Sequence, residues 1–139
     1  MRLVIDTNIV ISSLLAPGGL TRRLLFERRL KLHSPPFLLE ELEAHAGEIA
    51  SRSGLSDLEW RIALARTTSR IRLDDSSSFK SLVGPAALFS PDPDDAEFLA
   101  LCLKLRCPLW SNDKKLKGQM RVQVLSTHEL AKLLERRQP

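Results

Sequence analysis

Short apolar runs suited to strands recur at residues 2–6, 31–34, 71–73, 108–111 and 122–125, and most of the gaps between them carry helical periodicity. That alternation constrains the fold more than any other feature. Strands separated by helices favour an α/β architecture with a mostly parallel sheet of four to five strands and right-handed crossovers. The first run, Leu3-Val4-Ile5, alternates little and is partly β-branched, as suits a strand buried on both faces. Helices are expected over Asn8–Ala16, stopped by Pro17-Gly18-Gly19, and over Thr21–Arg29 with Leu24 and Leu25 inward. Another should run from Pro35 or Pro36 through Ala50, and a fourth from Asp57 to Ser69 behind a Ser56 or Asp57 cap. Residues 74–78 form a polar loop and 79–89 a broken helix. Asp94–Leu105 is apolar nearly all round, hence a buried helix. Ser126 or Thr127 caps a last helix ending at Arg136.

The bulk numbers narrow the class. With 139 residues, 43% of them apolar, the chain suits one domain spanning 1–139. It holds no run of about eighteen apolar residues, so no membrane span is expected. Met1-Arg2 leads into three apolar residues before Asp6 interrupts, which does not suit a signal peptide. Cys102 and Cys107 are too few for a disulfide framework, and a reducing cytoplasm fits best. The net charge of +4 and a pI of about 9.4 are compatible with a polyanionic partner. Basic clusters such as Arg22-Arg23 and Lys114-Lys115 would each be explained, taken alone, by a solvated helix face.

The acidic residues carry more information. Asp6 ends the first strand, where a carboxylate is costly to desolvate unless it is paired, so it caps the next helix or holds a cation. Asp113 follows the strand "PLWS", and ligands in such sheets bind beyond the carboxyl ends of the strands. In "PPFLLEELEAH", Leu38, Leu42, Ala46 and Ile49 share the core-facing stripe. Glu40 points away from it, and Glu41 and Glu43 flank it on either side, with periodicity unable to choose between them. In "SPDPDDAEFLALCLKL", Asp92 or Asp94 is a natural cap, which leaves Asp95, beside the apolar run, as the aspartate least directed at bulk water. No His/Cys spacing suits zinc, and His33, His45 and His128 are read as non-ligands. An all-carboxylate set favours hard cations, Mg²⁺ or Mn²⁺.

Taken in order, "VIDTNIVIS", "LLEELEAH", "DPDDAEFLALCLKL" and "PLWSNDKKL" resemble the PIN-domain family, whose VapC-like ribonucleases serve as the toxins of toxin–antitoxin pairs. The resemblance covers essentially the whole chain and implies a three-layer α/β/α fold. It implies that Asp6, Glu41, Asp95 and Asp113 form the metal-binding and catalytic quartet, with Asp92 as an accessory carboxylate, and it prefers Glu41 over Glu43. Thr7, Asn8 and Ser111 match the family's supporting polar positions, although "SND" departs from the commoner Thr-x-Asp form. The implied activity is Mg²⁺- or Mn²⁺-dependent endoribonuclease cleavage leaving a 5′-phosphate and a 3′-hydroxyl. An antitoxin partner and a homodimer are implied as well. Basic residues beside the acids would hold RNA phosphates, first among them Arg22, Arg23, Lys114 and Lys115.

Other phosphoryl chemistries fit less well. A haloacid-dehalogenase-like phosphotransferase needs a second Asp two residues after the first, where this chain has Asn8. A receiver domain expects an adjacent acidic pair at the end of the first strand, and glycine-rich phosphate loops are absent. The alternative from another class is a non-catalytic PIN-like RNA-binding or scaffold protein.

Overall fold

The computed structural model describes residues 1–137. Its sheet comprises β1 (Arg2–Ile5), β2 (Lys31–Ser34), β3 (Ile71–Leu73), β4 (Leu109–Trp110) and β5 (Val124–Leu125) in the order β3-β2-β1-β4-β5, with every pairing parallel. Leu3, Val4 and Ile5 of the central strand are each 0% exposed. Burying one such side chain stabilises the fold by about 1.5–3 kcal/mol.

Helices α1 (Thr7–Leu15), α2 (Leu20–Leu25), α3 (Phe37–Ala44), α4 (Ala46–Ser53) and α5 (Asp57–Thr68) accompany the path from β1 to β3, with α1 touching the other four. On the way back to β4, α6 (Lys80–Ala87) packs on α7 (Ala96–Leu105), and α7 lies against β1 and β4. The short α8 (Lys114–Lys117) follows β4, and α9 (Thr127–Arg136) follows β5 and reaches α2. The result is the expected three-layer α/β/α arrangement.

Several elements depart from the sequence expectation. The helix forecast over Thr21–Arg29 ends at Leu25, because the Arg70 guanidinium donates to the carbonyls of Leu25, Glu27 and Leu30 and holds this stretch as a turn. The helix forecast through Ala50 divides at His45 (φ −99°, ψ 4°) into α3 and α4. Gly47, a weak helix former, follows this break. No helix was forecast at Lys114–Lys117; there the Asp113 carboxylate accepts from Lys115 N at 2.9 Å and starts one turn. Residues 74–78 include a 3₁₀ turn, Ser76–Ser78, rather than loop alone. No helix among the described residues is long and apolar enough to cross a membrane.

The sheet also dictates where a site can form. From β1 the chain moves outward to β2 and β3, while from β4 it moves the other way to β5. Where strand order reverses, the connections diverge and leave a crevice beyond the carboxyl ends of the two strands. β1 ends at Asp6, and β4 leads through Ser111 to Asp113.

Candidate active site

Asp6 sits at the N-cap of α1 and accepts two hydrogen bonds that fix its carboxylate. Asn8 N donates to Oδ1 at 2.9 Å, and the fully buried Ser111 hydroxyl donates to Oδ2 at 2.5 Å. Capping and a further role are thus compatible, because each oxygen retains an unused lone pair. Asp113 N in turn donates to Ser111 Oγ at 3.1 Å, so one hydroxyl couples the ends of β1 and β4. The Asn112 side chain anchors this loop: its amide donates to Thr127 Oγ1 at 3.1 Å, and its carbonyl accepts from Thr127 N at 2.8 Å. The buried Trp110 Nε1 donates to the same hydroxyl at 3.1 Å. That Trp110–Asn112–Thr127 brace escaped the sequence reading. The only signal for it was a capping residue at the start of α9 beside an unexplained asparagine.

Glu41 is half-buried on α3 and accepts from the Thr7 hydroxyl at 2.5 Å. Glu43 is exposed on the other flank, at a groove facing Trp60, Arg61 and Leu64 of α5. Asp92 caps the 3₁₀ turn Pro93–Asp95 by accepting from Asp94 N at 2.9 Å. Asp95 stands at the start of α7 without a capping bond of its own, so its carboxylate is uncommitted.

Burial and mutual repulsion act on these acids. Burial, reinforced by Asp6, Asp92, Asp113 and Glu41, pushes the Asp95 carboxyl up to about 6. Burial raises Asp6 as well, against the lowering bonds from Ser111 and Asn8, and Asp113 adds repulsion. Glu41 is raised by burial, opposed by the Thr7 hydroxyl, with Asp94 and Asp6 repelling it further. Like charges in a shared cleft behave this way when nothing neutralises them. Among the described residues, no three His, Cys, Asp or Glu side chains converge closely enough to enclose one ion. As a set of oxygen donors, carboxylates suit hard cations, which can be held by one or two of them together with several waters.

The basic residues divide. Lys114 and Lys115 are exposed in the first turn after Asp113, on the acidic edge. Arg22 and Arg23 lie on α2. There Arg22 donates to Thr67 Oγ1 at 3.2 Å and stacks over Phe26 at 5.0 Å, close to where the chain enters β3. That is the opposite edge of the sheet, because α2 and its flanking turn are tied to Arg70 just ahead of β3. Asn8 contacts Asp6 through its backbone and also lines a neighbouring groove with α4. His33 pairs with Asp74 at 2.7 Å, and the acidic partner was not anticipated.

A parallel sheet whose order reverses between β1 and β4, with carboxylates gathered beyond the reversal, defines a class: α/β proteins with an acidic cleft at the topological switch point. A family model described as a PIN domain matches residues 4–135, and the chain belongs to that family. Among solved structures, the crystal structure of VapBC2 from Rickettsia felis bound to a DNA fragment from their promoter shares the fold, with a TM-score of 0.72. Sequence identity to it is 14%, over 91% of this chain and 98% of that one. No curated protein matches the sequence significantly.

Proposed function

We propose that the chain is a Mg²⁺- or Mn²⁺-dependent endoribonuclease, the toxin of a toxin–antitoxin pair acting in the cytoplasm. The observation that supports this reading best is the raised carboxyls of Asp6, Glu41 and Asp95 beyond the end of β1, with the Asp113 charge acting on Asp6 and Asp95. One or two of Asp6, Asp95 and Asp113 would hold the hydrated cation, with Glu41 and Asp92 at its periphery. When bound, it would activate a water for attack on the phosphodiester and offset charge on the leaving oxygen.

The chain's own groups do the rest. Ser111 and Asn8 N keep the Asp6 oxygens aimed, so little reorganisation is needed when substrate arrives. Thr7 holds Glu41 through one oxygen and leaves the other to accept a proton from water. Lys114 and Lys115 stand where flanking phosphates would pass. Arg22 is bonded to Thr67 and stacked on Phe26 at the opposite edge, so the RNA contact is proposed for the two lysines. A partner protein is proposed because the Rickettsia felis structure of similar fold is of a VapBC2 complex, and self-association is proposed alongside it.

The test is cleavage of single-stranded RNA with Mg²⁺ or Mn²⁺, against chelator, for the wild type, Asp6→Asn and Asp95→Asn. Metal-dependent products with 5′-phosphates, lost in both variants, are expected. Metal-independent RNA binding without cleavage in either ion would favour the scaffold reading instead.

A further inference from the structure

Beside the acidic edge, α1 and α4 enclose a cavity of about 110 Å³. Ile11, Leu15 and Ile49 make its apolar floor, while Asn8, His45, Glu48 and Arg52 make its polar rim. The rim begins at the proposed catalytic residues. Asn8 N is bonded to Asp6 at 2.9 Å, and His45 lies one turn past Glu41, its N donating to Glu41 O at 3.1 Å. From there the groove follows α1 towards Leu15 and α4 towards Arg52, away from the carboxylates. A nucleotide whose phosphate lies at the acidic edge could thus extend its base between the two helices.

The rim chemistry selects among bases. Glu48 is held below the usual carboxylate range by its bonds to Arg52 and His45, so it is ionised and accepts hydrogen bonds only. Arg52 Nη1 stands 3.1 Å from Glu48 Oε1, and His45 Nδ1 is 3.5 Å from Glu48 Oε2. An acceptor-only carboxylate beside a donor-only guanidinium matches a base with two donors on one edge and two acceptors on another. Guanine alone has both, N1–H and N2–H₂ on one side and O6 and N7 on the other. Unstacked single-stranded bases are read along these edges while their faces rest on apolar side chains.

We infer that the α1–α4 groove is a guanine subsite, seating the base next to the cleaved phosphate and giving the nuclease its sequence preference. This rests on the ribonuclease reading, and two readouts separate the fates of the two ideas. The first follows the His45 ring signals by NMR in the full chain with Mg²⁺, titrated with guanosine, adenosine, cytidine or uridine 5′-monophosphate. Guanosine monophosphate is expected to bind at least about fivefold more tightly than the others, with the preference abolished by Glu48→Gln and weakened by Arg52→Ala. Circular dichroism verifies that these surface variants fold. The second is cleavage of oligoribonucleotides that differ only in the base flanking the cut, with guanine expected to be favoured.

A guanine preference at His45 without RNA cleavage would sink the ribonuclease reading and leave the subsite standing. Cleavage indifferent to the flanking base, with equal affinity for all four nucleotides, would sink the subsite and leave the nuclease. His45 signals unmoved by any nucleotide would also overturn the subsite, leaving the groove as a surface for a protein partner.

Discussion

Asp95 carries an electrostatic cost that depends on pH. Its carboxyl titrates at 3.8 when unperturbed and at about 6 in the fold. Between those values the folded state holds more protons than the unfolded one, so this contribution to stability falls as pH rises through the window. The penalty is fully present above about pH 6 and absent below 3.8. Asp95→Asn removes the charge, so in chelator it should melt at a higher temperature than wild type at about pH 7.5, with the gain disappearing near about pH 4. Thermal melts followed by circular dichroism at both pH values check this, and a gain that persisted in acid would assign it to packing. Ser111→Ala removes the hydroxyl that orients Asp6 and receives Asp113 N. A lost supporting hydrogen bond typically weakens metal affinity by about 10–100-fold, measurable as a smaller Mn²⁺-induced rise in melting temperature. Of these residues, Asp6, Asp95 and Asp113 stood out in the sequence because acids adjoining apolar runs are conspicuous. Periodicity left Glu41 and Glu43 level. What separates them is the neighbour each meets, Thr7 or the flank of α5, and that is decided by tertiary packing.

At the scale of elements, legibility followed locality. The helices behind Ser56 and Ser126 were readable because their caps are local, and both carry a reciprocal bond from Glu59 or Glu129. Replacing Ser126 with alanine should cost about 1 kcal/mol in urea unfolding, as lost N-caps do. The early end of α2 was not readable, because Arg70 imposes it from about forty positions away. The divide at His45 was equally hidden, although it is what turns α4 alongside α1. Helix α7 ends with Arg106 in the left-handed region at φ 53°, and Cys107 N bonds back to Cys102 O at 3.2 Å. A side chain there is strained, so Arg106→Gly should stabilise the protein by about 0.5–1 kcal/mol despite glycine's greater freedom when unfolded. A decrease in the urea midpoint would show that Arg106 makes compensating contacts.

For the whole molecule, the α/β class was legible because strand and helix periods alternate. The direction of travel across the sheet was not, because no local signal states that β4 inserts beside β1. Charge follows the same division. Lys114 and Lys115 adjoin the acids, whereas Arg22 is spent on Thr67 and Phe26. Replacing both lysines with alanine should lower the slope of log affinity for single-stranded RNA against log salt by about 1.4, while Arg22→Ala should leave it unchanged and lower stability. Filter binding across a salt series distinguishes the two. The strand order has one more consequence. Because β4 docks on β1 across 105 positions of sequence, from Asp6 to Ser111, the acidic cleft stays incomplete in a partly synthesised chain. In a growing polypeptide these side chains can meet only after the last quarter of the chain has emerged from the ribosome and closed the sheet.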